Sequence, residues 1–204
     1  MREMVLSSAE ALATGAADDN LLTRCRLGDA AAFTRLVALH ERMVFNLAAR
    51  LLGDTEEARD ISQDVFLQVY RTLDRFEGRS SLKTWIYRIV VNLCQNRRRW
   101  WRRRKRSLSC PLEDLTQSDE AGVVRDRPTG DGPHERIERR DVGRRVQKAL
   151  LSLSFEHRTV LLLREVEGLS CDEIARAIAV SSGTVKSRLS RARDALRRSL
   201  EAQE

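Results

Sequence analysis

Basic and small polar side chains recur at helical spacing near the C-terminal end of the sequence. Ser187, Arg188 and Arg191 fall within two turns, and five arginines lie between residues 188 and 198. Guanidinium groups donate paired hydrogen bonds to guanine edges and to phosphates. A helix with these groups on its outer face could therefore read duplex DNA in the major groove. The alternative is an ordinary helix with a solvated basic face.

The residues before this helix favour a DNA-reading helix over an ordinary solvated one, because they predict a helix-turn-helix. Ser170 and Glu173 have the spacing of a capping box. Residues 179–180 predict a tight turn, after which Ser181 or Ser182 starts the second helix. Apolar side chains would face inward on both helices, namely Ile174, Ile178, Val185, Leu189, Ala192 and Leu196. The predicted DNA-reading residues are Ser182, Thr184, Lys186, Ser187, Arg188 and Arg191.

A second cluster of aromatic and basic residues lies between residues 76 and 95. Gly78 predicts a loop, and Ser80 or Ser81 starts a helix whose buried stripe is Leu82, Ile86, Ile89 and Leu93. The residues predicted to point outward are Lys83, Thr84, Tyr87, Arg88 and Gln95. Interleaved aromatic and basic side chains suit the unstacked bases of single-stranded DNA, although Trp85 and Tyr87 could equally be packing residues. The candidate DNA-binding residues are Gly78, Arg79, Ser80, Lys83, Trp85, Arg88 and Asn92.

The segment from about residue 55 to residue 73 predicts a helix with an unusual outer face. Its core stripe is Ala58, Ile61, Val65 and Val69. Leu67 falls almost opposite that stripe, among acidic and polar neighbours, and such an exposed apolar residue indicates a protein-binding surface. The candidate residues are Asp60, Gln63, Asp64, Phe66 and Leu67.

The sequence gives little support for catalysis, metal binding or membrane insertion. The cysteines are scattered without metal-ligand spacing, and the histidines lack partner motifs for catalysis. We therefore expect no catalytic residues, no metal, no cofactor and no enzyme activity. No run of eighteen apolar residues and no signal peptide are evident, so we expect a cytoplasmic chain without membrane insertion. The residues weighed here are Cys25, Cys94, Cys110, Cys171, His40, His134 and His157.

The organisation of the chain predicts an all-α fold of two small helical domains joined by a flexible acidic linker. The 204 residues carry a net charge of +7, which suits a polyanionic partner. All three prolines and seven acidic residues fall in the predicted linker. Residues 97–106 include eight basic residues, a run that a polyanion would neutralise. The predicted segments are a loose tail at 1–20, a domain at 21–106, the linker at 107–136 and a domain at 137–204.

Taken in order, these segments resemble the extracytoplasmic function (ECF) group of bacterial sigma factors, in the sigma-70 family. Residues 58–71 are similar to the polymerase-binding segment, 76–93 to the −10 recognition and melting segment, and 168–193 to the −35-reading helix-turn-helix. The chain departs from the family where Asp64 follows Gln63, since Gln-Glu is commoner, and its linker is somewhat long. The resemblance covers about residues 20–104 and 137–200.

The resemblance implies two helical domains, σ2 and σ4, that bind core RNA polymerase and promoter DNA and initiate transcription of a specialised, stress-response regulon. It also implies an anti-sigma factor that closes both domains around itself, with the free chain extended. Control by packing of the two domains on each other is the alternative. A stand-alone helix-turn-helix repressor or activator is the competing function, and an enzyme acting on nucleic acid is disfavoured by the absent catalytic motifs.

Overall fold

The structure, a computed structural model, describes residues 20–107 and 133–203, with side chains described for 20–104 and 140–203. Every regular element in these ranges is helical, which confirms the all-α prediction. Most of the predicted tail and linker, with Cys110, lies outside the described residues. The helices are α1 (residues 20–26), α2 (Ala30–Leu52), α3 (Thr55–Thr72), α4 (Leu82–Ser107), α5 (Pro133–Ser152), α6 (Phe155–Leu161), α7 (Cys171–Ile178) and α8 (Ser182–Glu201).

Helices α1 to α4 form the first bundle, and capping residues set where its helices begin and end. Asp29 accepts a hydrogen bond from the backbone N–H of Ala32 at the start of α2. Gly53 ends α2 at a φ of 78°, the left-handed conformation that glycine adopts without strain. Asp54 then accepts from the N–H groups of Glu56 and Glu57 at the start of α3. From the sequence alone, Gly53 predicts the end of one helix, and Asp54 with Glu57 three residues on predicts the start of the next, so this break is confirmed.

The core of the first bundle follows the predicted periodicity. Ala58, Ile61, Val65 and Val69 of α3 are all buried, and they pack on α2 and α4. In α2, seven residues at steps of three and four predict one apolar stripe. Of these, Leu36, Val44, Leu47 and Leu51 are buried, whereas Phe33, Val37 and His40 are half-buried at its edge. A stripe at steps of three and four thus places one face of each helix inside.

Helices α5 to α8 form the second bundle. The spacing of Val142, Val146, Leu150 and Leu153 predicts one buried stripe from the sequence. Leu150 and Leu153 are buried, but the prediction is wrong for Val142 and Val146, which are 57% and 37% exposed. The buried residues of α5 with described side chains all lie near its C-terminal end, where the helix packs on α8 and α2. After α6, residues Leu162–Val166 form a π-helical turn, and Gly168 follows at a φ of 74°.

The helix-turn-helix is formed by α7 and α8. The Ser170 hydroxyl accepts from the N–H of Glu173, and the Glu173 carboxylate accepts from the N–H of Ser170, so the predicted capping box is confirmed. Hydrogen bonding to Ser170 lowers the pKa of Glu173. Ala179 makes the turn at a φ of 54°, and Ser181 caps α8.

The two bundles pack directly on each other. Helix α4 lies against α7, and the C-terminal end of α2 lies against α5 and α6. Buried apolar residues of both bundles join in one continuous core. This arrangement differs from the extended free chain that the sequence suggested, and it follows from polar and apolar contacts between the bundles that helical periodicity does not reveal. No helix among the described residues is long and apolar enough to cross a membrane.

Candidate protein- and DNA-binding surfaces

The outer face of α3 presents the predicted protein-binding residues. Asp60, Gln63, Asp64 and Leu67 occupy positions i, i+3, i+4 and i+7 of the helix, which share one face, and all four are exposed. Leu67 is 52% exposed, which is unusual for a leucine in the middle of a helix whose other face is a packed core. Phe66 is only half-buried but packs against the core, so it supports this face from beneath.

Arg97 of α4 connects this face to the basic run of residues 97–106. Its guanidinium lies 2.7 Å from the Glu57 carboxylate and 3.6 Å from that of Asp64. Both acidic residues belong to α3, so Arg97 fixes α4 along α3 and partly neutralises Asp64. Asp60 carries the remaining negative charge at the N-terminal end of the face.

Three of the predicted −10 residues share one face of α4. Trp85, Arg88 and Asn92 follow at steps of three and four, and Arg88 and Asn92 are exposed. Trp85 is half-buried against Phe76, with ring centroids 5.1 Å apart, so its packing role is confirmed and only one side of the indole is free. The arrangement offers a guanidinium and an amide beside an aromatic edge.

The loop before α4 adds Gly78, Arg79 and Ser80. Gly78 is exposed at a φ of 71°, and Arg79 forms an exposed ion pair with Glu77. Ser81 caps α4, since its hydroxyl accepts from the N–H of Thr84 at 3.2 Å. The loop therefore ends beside the first turn of the Trp85 face.

Thr84 and Tyr87 were predicted to point outward from α4, and this prediction is wrong. Lys83 does point outward, but it lies apart from the other candidate −10 residues. Thr84 is buried because its hydroxyl bonds that of Ser81 at 2.8 Å. Tyr87 is fully buried because α7 and the turn before it cover this side of α4, where its hydroxyl donates to Glu167. Lys83 is exposed, but its amine lies 5.6 Å from the Tyr87 ring. At 100° per residue it is on the side of α4 opposite Asn92.

The basic run continues α4 beyond the core of the first bundle. Trp100 and Trp101 are 44% and 37% exposed and meet edge to face at 6.0 Å. The Arg104 guanidinium lies 5.0 Å from the Trp100 ring centre. Arg98 instead points to the second bundle, 5.4 Å from the ring of Phe155. The run therefore combines exposed cations with stacking surface, which suits nucleic acid.

The predicted −35 residues form a stripe on α8. Thr184, Ser187, Arg188 and Arg191 share one face at helical spacing. Lys186 is exposed but lies on another side of α8, about 140° from Arg191 at 100° per residue, near Ser190 and Arg193. Within the described ranges neither Arg188 nor Arg191 forms an ion pair, whereas Arg193 is held by Glu165 at 2.6 Å. The two arginines of the stripe are thus available for a phosphate or a base.

The three hydroxyl residues at the start of α8 are less accessible to DNA than the sequence suggested, because two of them already form hydrogen bonds within the chain and the third is half-buried. The Thr184 hydroxyl bonds that of Ser181 at 2.8 Å, and the Ser187 hydroxyl donates to the Thr184 carbonyl at 3.0 Å. Ser182 is half-buried in the first turn. Their free lone pairs can still accept hydrogen bonds from base amino groups.

The sequence reading overlooked Arg158, which is 5% exposed on α6. It lies three residues after Phe155 and four before Leu162, on the inward stripe, and a cation at such a position was the available signal. The guanidinium donates to the carbonyls of Leu150, Leu151 and Leu153 in its own bundle and to that of Leu51 in the other.

Two of the three cysteines that the structure describes, Cys25 and Cys94, are buried in the core of the first bundle. Burial raises the pKa of the Cys94 thiol to about 12 and also raises that of Cys25, so both stay protonated at neutral pH. Cys171 is half-buried at the start of α7. Among the residues that the structure describes, no cluster of His, Cys, Asp or Glu could hold a metal ion.

Comparison with known proteins gives a separate family match for each of the two bundles. The sigma-70 region 2 family matches residues 36–107, and the sigma-70 region 4 family matches residues 143–196. The RNA polymerase sigma-H factor of Pseudomonas aeruginosa is 34% identical over 186 residues, which cover 90% of this chain and 94% of that protein. The ECF RNA polymerase sigma factor SigW of Bacillus subtilis is 30% identical over 181 residues, covering 88% and 94%.

Two solved structures resemble both bundles. The sigma factor RpoE of Bartonella quintana, in complex with the anti-sigma factor NepR, has a TM-score of 0.63 at 25% identity and covers 84% of this chain and 98% of its own. CnrH, in complex with the cytosolic domain of CnrY, also has a TM-score of 0.63, at 26% identity, covering 92% and 99%.

The α3 and α4 surfaces and the helix-turn-helix thus occur together in a two-part transcription initiation factor. The chain belongs to the ECF group of the sigma-70 family. This family is not enzymatic, so the expectation of no enzyme activity is confirmed. The first bundle is hereafter σ2, and the second is σ4.

Proposed function

We propose that the chain is a dissociable, cytoplasmic specificity subunit that directs core RNA polymerase to the promoters of a specialised stress-response regulon. In this proposal, σ2 spans residues 21–106 and σ4 spans residues 137–204, with residues 107–136 as the linker. The observation that carries the proposal is Leu67, an exposed apolar side chain opposite the buried stripe of α3 and framed by Asp60, Gln63 and Asp64. A stand-alone repressor would have no need of such a face.

In this proposal each of the two DNA-binding faces would bind one promoter element, with α4 at the −10 element and α8 at the −35 element. Trp85, Arg88 and Asn92, with the loop from Gly78 to Ser80, would hold an unstacked base of the −10 element, which needs compensating contacts because unstacking costs a few kcal/mol. Arg188 and Arg191 would contact bases or phosphates of the −35 element, with Ser187 on the same face and Lys186 adding a cation from another side of α8. Arg79 would add a phosphate contact from the loop.

Transcription in vitro with core polymerase on a promoter library tests the proposal. We expect the chain to direct specific initiation with core polymerase and to shift duplex promoter DNA poorly by itself. A chain that shifts the promoter strongly alone and leaves core polymerase unspecific would be a repressor or activator instead.

We also propose an anti-sigma factor that contacts both domains and competes with core polymerase. The support is the likeness to the sigma factor RpoE, which was solved with the anti-sigma factor NepR, and to CnrH, which was solved with the cytosolic domain of CnrY. One partner that joins two weak contacts gains avidity through effective concentration. A pull-down from the native cytoplasm, followed by displacement of the partner with core polymerase, tests this part of the proposal.

A further inference from the structure

The C-terminal part of α4 carries an apolar and basic face that the proposed DNA contacts do not use. Its members occupy positions i, i+3, i+4 and i+7 of the helix and are hereafter the tryptophan face, namely Arg97, Trp100, Trp101 and Arg104. The two indoles are 44% and 37% exposed and meet edge to face. The Arg104 guanidinium lies 5.0 Å from the centre of the Trp100 ring, so cation and ring form one surface.

The tryptophan face points away from the −10 candidates on the same helix. Trp101 follows Asn92 by nine residues, which at 100° per residue places the two side chains on opposite sides of α4. Arg99, eleven residues after Arg88, instead continues the −10 side. A nucleic-acid strand that lies along Asn92 would therefore meet Arg99 rather than the Trp101 indole.

The tryptophan face also extends past the helix that covers the rest of α4. Since a short connection joins α3 to α4, the two helices run antiparallel. Arg97 pairs with Glu57, which lies two residues after the start of α3 at Thr55. The seven residues that follow Arg97 add about 10 Å at 1.5 Å per residue, so they pass beyond the first turn of α3. Residues 101–104 are accordingly all exposed.

The charge of this extension is complementary to that of α3. Residues 97–104 include six arginines and no acidic residue, whereas residues 54–64 include five acidic residues and one arginine. The ion pair between Arg97 and Asp64 joins the tryptophan face to the outer face of α3. The outer face, hereafter the α3 face, consists of Asp60, Gln63, Asp64 and Leu67. Together the two faces make one stripe, which is apolar and acidic on α3 and apolar and basic on α4.

A second copy of this chain fits such a stripe. A partner of another sequence would need a basic patch for Asp60 and an acidic patch for Arg104. A copy related by a two-fold axis carries both patches in the correct order, because the same stripe on it runs in the opposite direction. The α3 face of each copy then lies on the tryptophan face of the other. Indole rings would bury Leu67, and opposite charges would surround it.

We propose that the free chain self-associates as a symmetric dimer through the α3 face and the tryptophan face. The interface has about ten residues a side, fewer than the roughly 20–30 of a stable complex, so the dimer is transient and forms at micromolar concentration. Because Leu67 lies inside the interface, the dimer and core polymerase compete for this side chain. The competition rests on the proposed function, whereas self-association does not.

A charge exchange between Asp60 and Arg104 tests the dimer by sedimentation velocity of the full-length chain. Asp60→Lys and Arg104→Glu each place like charges across the interface, so each should weaken self-association at least about tenfold. An equimolar mixture of the two variants should restore it to within about threefold of wild type, because each chain then carries the complement of the other. Arg103→Glu makes the same charge change on another side of α4 and should dimerise like wild type.

The double substitution Trp100→Ala and Trp101→Ala tests the apolar part of the surface. It should leave the chain monomeric, with helicity by circular dichroism and affinity for core polymerase by fluorescence anisotropy as in wild type. Core polymerase added to the wild-type dimer should convert it into complexes that contain one chain each. A complex that keeps the intact dimer would overturn the competition for Leu67.

Wild type that stays monomeric up to about 100 µM, or variants that all self-associate as wild type does, would overturn the proposal. A tryptophan variant that loses affinity for core polymerase or for promoter DNA, with self-association unchanged, would overturn it as well and assign the face to that partner. If wild type forms a dimer that responds to the charge exchange but does not bind core polymerase, self-association stands and the proposed function fails. The sedimentation and binding measurements therefore separate the two proposals.

Discussion

The Arg158 guanidinium of α6 donates to the Leu51 carbonyl of α2, 107 residues earlier in the chain. Two carbonyl groups from different domains thus depend on one side chain, because Arg158 also satisfies Leu150 at the end of α5. A single buried cation therefore couples the stability of σ4 to its contact with σ2.

Replacing that cation should be costly. Arg158→Leu fills similar space but leaves buried carbonyls without a donor, and we expect it to lower the free energy of unfolding by about 3 kcal/mol or more. Arg176→Leu, at an exposed arginine of α7, should change the same quantity by less than about 0.5 kcal/mol. Urea unfolding followed by circular dichroism measures both. Equal stability of the two variants would show that the cap contributes little.

The protein-binding face of σ2 is tested by Leu67→Arg. The substitution places a cation where an apolar side chain would be buried by polymerase, and we expect at least about a tenfold loss of affinity for core polymerase with helicity unchanged. Leu27→Arg, at an 82% exposed leucine after α1, should leave the affinity unchanged. Fluorescence anisotropy of labelled chain titrated with core polymerase gives the two affinities. Undiminished binding by Leu67→Arg would place the polymerase contact elsewhere.

The −10 face is tested by Asn92→Ala. An amide that contacts an unstacked base acts only after the duplex has opened, so the variant should reduce open-complex formation more than initial duplex binding. Permanganate footprinting beside a shift assay, both with holoenzyme, separates the two steps. An equal loss at both steps would assign Asn92 to the duplex or to folding.

The −35 face is tested by Arg191→Ala, with Arg197→Ala as a control on the same helix, where Arg197 pairs with Asp194. If Arg191 contacts a base, its loss should cost about 1–3 kcal/mol at one promoter position and relax specificity there. If it contacts a phosphate, all sequences should weaken alike and the salt dependence should flatten. Holoenzyme binding to a set of −35 variants at several salt concentrations distinguishes these results. Identical behaviour of Arg191→Ala and Arg197→Ala would show that α8 presents another face to DNA.

Local chemistry allowed much of this architecture to be predicted from the sequence. The capping box at Ser170 and Glu173, the break at Gly53 and the exposed Leu67 each depend on a few neighbouring residues. Tyr87 was predicted to be exposed because the α4 stripe identifies only the face that packs within σ2. Its burial depends on σ4, and the linker residues between the domains carry no apolar pattern that would indicate this packing.

Arg158 and Val146 are two residues whose burial the sequence pattern does not predict correctly. Arg158 is charged yet buried, because backbone carbonyl groups accept hydrogen bonds from its guanidinium. Every sequence contains such carbonyl groups, so no residue pattern reveals which of them will surround a cation. Val146 is apolar yet exposed, because periodicity predicts which residues share a face but not how far along a helix its neighbours reach. The burial of both residues depends on packing between helices that are far apart in the sequence.

The shared cap at Arg158 has a consequence for work on fragments of this chain. A fragment that stops at Ser107 retains α2 but loses the guanidinium at its C-terminal end, and it exposes Gly53 and Tyr87 to water. A fragment that starts at Pro133 keeps Arg158 with one acceptor removed. Each isolated half therefore exposes to water a surface that the other bundle covers in the whole chain, so affinities measured on the halves describe surfaces that the intact chain does not present.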